Sequence, residues 1–469
     1  MAKKKETYLC ANCGFESGKW MGQCPQCKEW NTLEVAAAPA GAAALTSPLK
    51  SVRPADSVKK LGEVAVDTNS RIVTGIGEFN RVMGGGIVKD SISILAAKPG
   101  AGKSTLLLQV AQDVAAQGLR VLYVSGEESE SQIRRRAGRV LDKIHEQIWV
   151  QSTTSMNEVL GAIESVNPHL VIADSIQTFA LEDYPSRPGS PTQTIECTNC
   201  LLQVAKNPQA PKAVIMAGQL TKEDELAGVR ALEHMVDTVL YMEAEQGEDL
   251  RVLAATKNRF GSTGEMGFFT MEEKGLVPIE NPSEYFMTRR DPGQEVSGSA
   301  ITVVREGTRP MIAEIETLVS QSFTPYPSRI SDCMKKDQLN TLISILEQRG
   351  GIPLYDKNVV VKTTGGLKLS QPSVNLALIA SLISSATKKG IPSDTALIGD
   401  VGLTGELKRV PSLEIRVREL DRMGFRRVFL PYGSLRRESV TKFPNVEIFQ
   451  LKTLSSVMQK IFGDLKKSF

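Results

Sequence analysis

The stretch Ala97-Lys98-Pro99-Gly100-Ala101-Gly102-Lys103-Ser104-Thr105 follows the apolar run Ser91 to Ala96 and precedes LLLQVAQDVAAQ, which Gly118 ends. A strand, a glycine turn and a helix in that order make a phosphate-binding loop. Gly100 and Gly102 let consecutive backbone N–H groups turn toward the β- and γ-phosphates of ATP, and the helix N-terminus adds partial positive charge. Lys103 reaches the same phosphates, and Ser104 is placed to ligate Mg2+. Pro99, Ala101 and Thr105 complete the cradle. Position 97, usually glycine in such loops, is Ala, and its methyl is expected to strain the outer corner of the turn.

Working outward, Arg120 to Ser125, His169 to Ala173, Ala213 to Ala217 and Thr238 to Met242 are further short apolar runs separated by helical stretches. Strands this continuously apolar are buried on both faces, which predicts a parallel α/β sheet. Ligands of such sheets bind at the carboxyl edge, and each run there ends in a polar residue. Asp174 stands where a carboxylate would hold Mg2+ through water. Glu127 and Glu128 follow VLYVSG, and one of them is expected to orient or deprotonate the attacking water. Gln219 ends AVIMAGQ, where it would sense the γ-phosphate.

Four of the seven cysteines lie in the first 27 residues, as Cys10-x2-Cys13, ten residues, then Cys24-x2-Cys27. Two such pairs offer four thiolates to one tetrahedral ion and predict a structural Zn2+ site, one per chain. A segment this short buries too little apolar surface to fold without the metal. Residues 35–60 turn into Ala, Pro, Ser and Lys, the composition of a flexible tether. After TRRDPGQEVSGS, strand-like runs (Ala300 to Arg305, Val359 to Lys362) mix with helical ones (Lys336 to Gln348, Ser373 to Thr387), which reads as an α+β domain. The expected domains are a zinc finger at 1–34, a tether at 35–60, the ATPase at 61–285, a linker at 286–298 and the α+β domain at 299–469.

Composition sets outer limits. With 41% hydrophobic and 23% charged residues the chain is globular, and a net charge of +3 is too small to argue for nucleic acid without local clustering. The longest apolar run, Val374 to Ala386, is interrupted by Asn375 and several serines and falls short of the ~18 residues of a membrane span. Lys3, Lys4 and Lys5 are followed by Glu6 and no apolar stretch, so no secretory signal is expected and a cytoplasmic location is.

The central region resembles the RecA-type ATPases. With the four cysteines, GIGEFNRVMGGGIV, LEHMVDTVLYME and Lys257-Asn258-Arg259-Phe260-Gly261, nearly the whole chain is similar to the bacterial RadA (Sms) family of DNA repair ATPases. The resemblance implies a DNA-dependent ATPase acting as a homo-oligomeric ring, a hexamer, on single-stranded or branched DNA, with a RecA-type recombinase as partner. It also implies that Lys257 and Arg259, too far along the chain to belong to the P-loop edge, reach the nucleotide of an adjacent subunit like an arginine finger. The loops Glu182 to Thr194 and Leu220 to Arg230 match channel loops of RecA-like rings, so Arg187, Lys222 and Arg230 are phosphate-contact candidates by analogy.

The final region resembles the Lon protease domain, in which a serine is activated by a lysine. Ser373 matches the nucleophile, but Arg416 stands where the base would be, and a guanidinium cannot be deprotonated in that role. The domain is therefore expected to be proteolytically inactive. Arg416, Arg418, Arg422, Arg426 and Arg427 form a basic cluster that reads equally as a solvated helix face or a nucleic-acid contact. An ATP-dependent Ser-Lys protease and a nucleotide-gated signalling scaffold are the competing readings of the whole chain.

Overall fold

The computed structural model describes residues 8–10, 12–35, 60–63, 71–219, 232–244 and 249–463. Most of the expected tether, and the loop carrying Lys222 and Arg230, lie outside the described residues. The chain divides into two compact units, Met1–Pro278 and Ile279–Phe469.

The first unit is built on a nine-stranded sheet in the order Gly275–Pro278, Met266–Glu272, Leu250–Asn258, Thr238–Ala244, Ile92–Ala97, Ala213–Gln219, Leu170–Asp174, Val121–Ser125, Ile148–Ser152. The six strands from Thr238–Ala244 onward run parallel, and the first three extend the sheet antiparallel. All six residues of Ile92–Ala97 are buried, and their period-two alternation divides them between two cores. Leu95 and Ala97 pack with Leu106, Leu107 and Val110 of the helix Lys103–Ala116. Ile92, Ile94 and Ala96 pack on the other face with Met156, Val159 and Leu201 from the helices Met156–Val166 and Pro191–Ala205. Each fully buried Leu or Val contributes about 1.5–3 kcal/mol, so the two layers hold the loops at the carboxyl edge on a rigid base. Cys197, read as a buried thiol, sits in the second core, where burial pushes it up to about 12.

Ala97 corrects the sequence reading. It is the last residue of its strand, hydrogen-bonded in register with Gln219 and Met242, fully buried and absent from the residues with positive φ. The methyl fills core space and imposes no strain on the turn.

The N-terminal segment forms a three-stranded antiparallel sheet of Glu16–Ser17, Tyr8–Cys10 and Leu33–Val35. The second unit has a mixed seven-stranded sheet in the order Arg329–Ser331, Lys357–Thr363, Arg309–Gln321, Ser299–Glu306, Thr395–Leu397, Arg427–Pro431, Glu447–Leu451. The apolar run at 374–386 is its central helix Asn375–Thr387, buried from Asn375 through Ser384. No helix among the described residues is long and apolar enough to cross a membrane.

The expected boundary at 285 and the linker at 286–298 differ from what is observed. Residues 279–298 belong to the second unit. Phe286 is fully buried, Arg290 pairs with the buried Glu314 at 2.5 Å, and Glu295–Val296 pairs with Ile391–Pro392. A polar, glycine-containing sequence looks like a linker when the carboxylate that holds its arginine lies in another strand.

Candidate functional site

At the carboxyl edge the chain turns from Ala97 into the helix Lys103–Ala116 through Gly100 at φ 80° and Gly102 at φ 108°. Only glycine takes these values without strain, and a Cβ at Gly102 would also lie 2.7 Å from Met271 Cε. Gly102 is the N-cap, so the first helical N–H groups are left for an anion. Lys103 is 8% exposed and donates back to Ala97 O at 3.1 Å. Burial lowers its pKa from the usual lysine value, opposed by the charges of Asp174 and Glu127. Pro99 is exposed, Ala101 buried, and Ser104 and Thr105 half-buried at the helix start.

Asp174, last in its strand, is 8% exposed and accepts from Tyr123 Oη at 2.6 Å. Tyr123 lies in the neighbouring strand. Burial first, and Asp174 second, push the phenol well above its ordinary pKa, so it stays a donor. Sequence reasoning missed Tyr123, although a lone tyrosine in an aliphatic strand that ends at the site is a legible signal.

The two glutamates take different partners. Gly126 turns the chain so closely that a Cβ there would lie 2.1 Å from Thr178 Oγ1, and the N–H groups of Glu127 and Glu128 both donate to Ser125 Oγ. Glu128 pairs with Arg136, both side chains 27% exposed. Among the described residues Glu127 meets neutral donors only: Ser175 Oγ at 2.5 Å and Gln219 Nε2 at 2.8 Å, both to Oε1. The Gln177 side chain donates to Gln219 O and accepts from the Gln219 backbone N–H. Lys103, Asp174, Glu127 and Gln219 are thus brought to one edge, while Glu128 is turned to an arginine. Ser175, Gln177 and Arg136 were not legible beforehand, because their polar partners are distant or eight residues along a helix.

Lys257 and Arg259 lie elsewhere. Asn258 is opposite Thr238, and Thr238 is opposite Ser93, at the start of the parallel strands. Ile92 to Ala97 spans roughly 16 Å, so the Lys257–Gly261 turn sits at the far edge of the sheet from the P-loop. It is fixed there: Arg71 donates to Phe260 O at 2.7 Å, Asn258 Nδ2 to Val82 O at 3.2 Å, and a Cβ at Gly261 would lie 2.8 Å from Gly84 Cα. Lys257 donates to Glu233 O.

Arg187 is exposed on the loop after the Asp174 strand; that loop ends at Ser190, which caps the helix Pro191–Ala205, earlier than the expected Thr194. In the N-terminal sheet Cys10, Cys13, Cys24 and Cys27 bring their Sγ atoms within 4.8 Å of one another. Cys10–Cys27 and Cys13–Cys24 are 3.7 and 3.5 Å apart, close to the about 3.8 Å edge of a tetrahedron with Zn–S bonds of about 2.3 Å. Each knuckle repeats one turn: Gly14 N–H donates to Cys10 O and Lys28 N–H to Cys24 O. The donor set and spacing fit Zn2+.

Residues 8–34 match the family described as rubredoxin metal binding domain, and residues 59–225 match the family described as AAA domain. The DNA repair protein RadA of Bacillus subtilis is 41% identical over 99% of this chain and 100% of its own length. The chain belongs to the RadA family. The RadA proteins of Listeria monocytogenes and Halalkalibacterium halodurans are 40% and 38% identical over the same shares. With the AAA match and the P-loop geometry, this RadA-family chain is an ATPase that binds nucleotide and carries a four-cysteine zinc site.

In the second unit of this RadA-family chain Ser373 is 2% exposed and its hydroxyl is without a hydrogen-bond partner among the described residues. Arg416, 3% exposed, donates to Val303 O and at 2.7 Å to Gln371 Oε1. Burial lowers its pKa to about 10, with Arg305 adding to the effect. Both sequence-matched positions are thus sealed from a polypeptide substrate. Arg418, Arg422 and Arg427 pair with Glu414, Glu419 and Asp394, so the basic cluster is largely neutralised where it stands. Incubation with unfolded casein, ATP and Mg2+ is expected to release no peptide. Peptide release that Ser373→Ala abolishes would reverse this reading.

Proposed function

We propose that the chain is a DNA-dependent, helicase-like ATPase of DNA repair and homologous recombination, working as a ring, a hexamer, that moves on single-stranded or branched DNA and drives branch migration beside a RecA-type recombinase. The observation that carries this is the placement of the Lys257–Gly261 turn at the sheet edge opposite the P-loop of its own chain. An arginine so placed is useful to ATP hydrolysis only at the nucleotide of another subunit, which requires a repeating head-to-tail assembly.

In each site the glycine turn and Lys103 hold the phosphates, and Ser104 and Asp174 hold Mg2+. Glu127 takes the proton of the attacking water, and Arg259 from the neighbouring subunit meets the charge that grows on the phosphoryl oxygens. Gln219 touches Glu127 and is followed directly by the loop carrying Lys222 and Arg230, so DNA held by that loop and by Arg187 has a short route to the base. These relatives of the chain, the DNA repair proteins RadA, support the same reading by their name.

ATP turnover is expected to rise on addition of single-stranded DNA and to lose that stimulation with added salt, because phosphate contacts release counterions. Turnover indifferent to DNA at every salt concentration would favour the signalling scaffold. Arg259→Ala is expected to bind ATP normally and hydrolyse it roughly 10³-fold more slowly, and to regain activity when mixed with Lys103→Ala chains.

A further inference from the structure

Arg259 is held on its own subunit before any neighbour arrives. Its Nη1 donates to Asp237 Oδ1 at 3.3 Å, and its backbone N–H donates to Asp237 O at 3.1 Å. Asp237 immediately precedes the Thr238–Ala244 strand, and its side chain is 3% exposed. Its other oxygen is taken up by Lys206 Nζ at 2.9 Å and by the Ile92 N–H at 3.1 Å.

Two features set this contact apart from an ordinary structural ion pair. Only one nitrogen of the guanidinium is engaged and the side chain is 56% exposed, so Nε and Nη2 are without a partner among the described residues. A planar fork anchored at one prong keeps its orientation and still has two donors to offer a phosphate. The carboxylate, for its part, does not depend on Arg259 for compensation, because Lys206 neutralises it. Arg259 can share its charge with a phosphate while Nη1 stays on Asp237, without leaving a buried anion uncompensated, the event that makes disturbing most buried pairs costly.

We infer that Asp237 is the positioning residue of the finger: it fixes Nη1 of Arg259 so that Nε and Nη2 face the terminal phosphates of the nucleotide on the next subunit, while Lys206 balances the carboxylate. This rests on the trans role given to Arg259 above. Pre-orientation of this kind acts on the rate and not on nucleotide affinity, because the groups that bind ATP lie at the other edge of the sheet.

The test uses full-length chains. Asp237→Asn keeps an acceptor for the Ile92 N–H and removes the charge that holds Nη1. Its kcat is expected to fall roughly 10- to 100-fold with KM for ATP unchanged. Mixed with an excess of Lys103→Ala chains, whose own fingers are intact, the Asp237→Asn sites should recover toward the wild-type rate. A purely structural role would lower the rate in cis and show no recovery. Lys206→Met leaves Arg259 as the counter-charge of the carboxylate among the described residues, so the finger should be held on its own subunit and kcat should fall with KM for ATP unchanged; a wild-type rate would overturn the balancing role given to Lys206. Asp237→Glu keeps the charge and displaces the anchor by one methylene, so its kcat should also fall, and it covers the case in which Asn at 237 does not fold. Wild-type turnover by both Asp237 variants, with Arg259→Ala still defective and rescued in mixtures, would remove the positioning role and leave the finger. Arg259→Ala chains that are not rescued would remove the finger itself.

Discussion

Glu127→Gln is expected to slow ATP hydrolysis by roughly 10²- to 10⁴-fold while ATP remains bound, and Glu128→Gln to slow it far less. A general base needs a lone pair that is not already committed to a cation. Glu128 is committed to Arg136, whereas Glu127 accepts from a serine hydroxyl and a glutamine amide, which orient the carboxylate without neutralising it. The glutamine variant keeps Oε1 for Ser175 and Gln219, so the loop stays in place and only the proton acceptor is lost. At Glu128 the change releases a half-exposed ion pair worth about 1 kcal/mol or less, a small effect on stability and an indirect one on the site. Single-turnover hydrolysis together with a fluorescent nucleotide titration separates the two. Equal turnover by both variants and the wild type would mean that the water is activated elsewhere, and a deeper loss at Glu128 would invert the assignment.

The distinction between adjacent glutamates marks where the sequence stopped being readable. The P-loop is local: strand, turn and helix follow within one contiguous stretch, and each glycine answers a backbone angle set by its neighbours. The buried parallel strands were legible for the same reason, since their apolar runs carry their own signal. The antiparallel extension Leu250–Asn258, Met266–Glu272 and Gly275–Pro278 was not, because these strands are only partly buried and broken by Lys, Arg and Gly. Pairing to the central sheet, and not local pattern, makes them strands. Arg290 and Asp237 share that difficulty from the side of charge. Both look like solvated polar residues until Glu314 in one case, and Lys206 with Arg259 in the other, are brought to them by the fold.

Cys10→Ser, or a strong chelator, is expected to release one zinc per chain and to unfold the segment around residues 8–35 alone. The apolar core of that segment is Leu33 with partly buried Tyr8, Phe15 and Met21, and the other buried side chains are the ligand cysteines themselves. Strands of two and three residues and a core of this size cannot offset the conformational entropy of ordering the chain. Structural zinc supplies about 10–16 kcal/mol at neutral pH in segments of this size, so its loss is all-or-none for the local fold. Spread of the unfolding is not expected: among the described residues Lys103, Asp174, Glu127 and Gln219 take none of their hydrogen bonds from the N-terminal segment. Trp20 and Trp30 lie within the segment and Trp149 in the ATPase sheet. Metal analysis combined with fluorescence of single-tryptophan variants can therefore report the two regions separately. Trp20 and Trp30 are already 56% and 69% exposed, so metal loss should lower their fluorescence anisotropy with little change of emission, while the Trp149 signal and the thermal transition of the ATPase stay in place. A wild-type protein purified without zinc would refute the metal site, and a concerted loss of the Trp149 signal would show that zinc supports the ATPase fold as well.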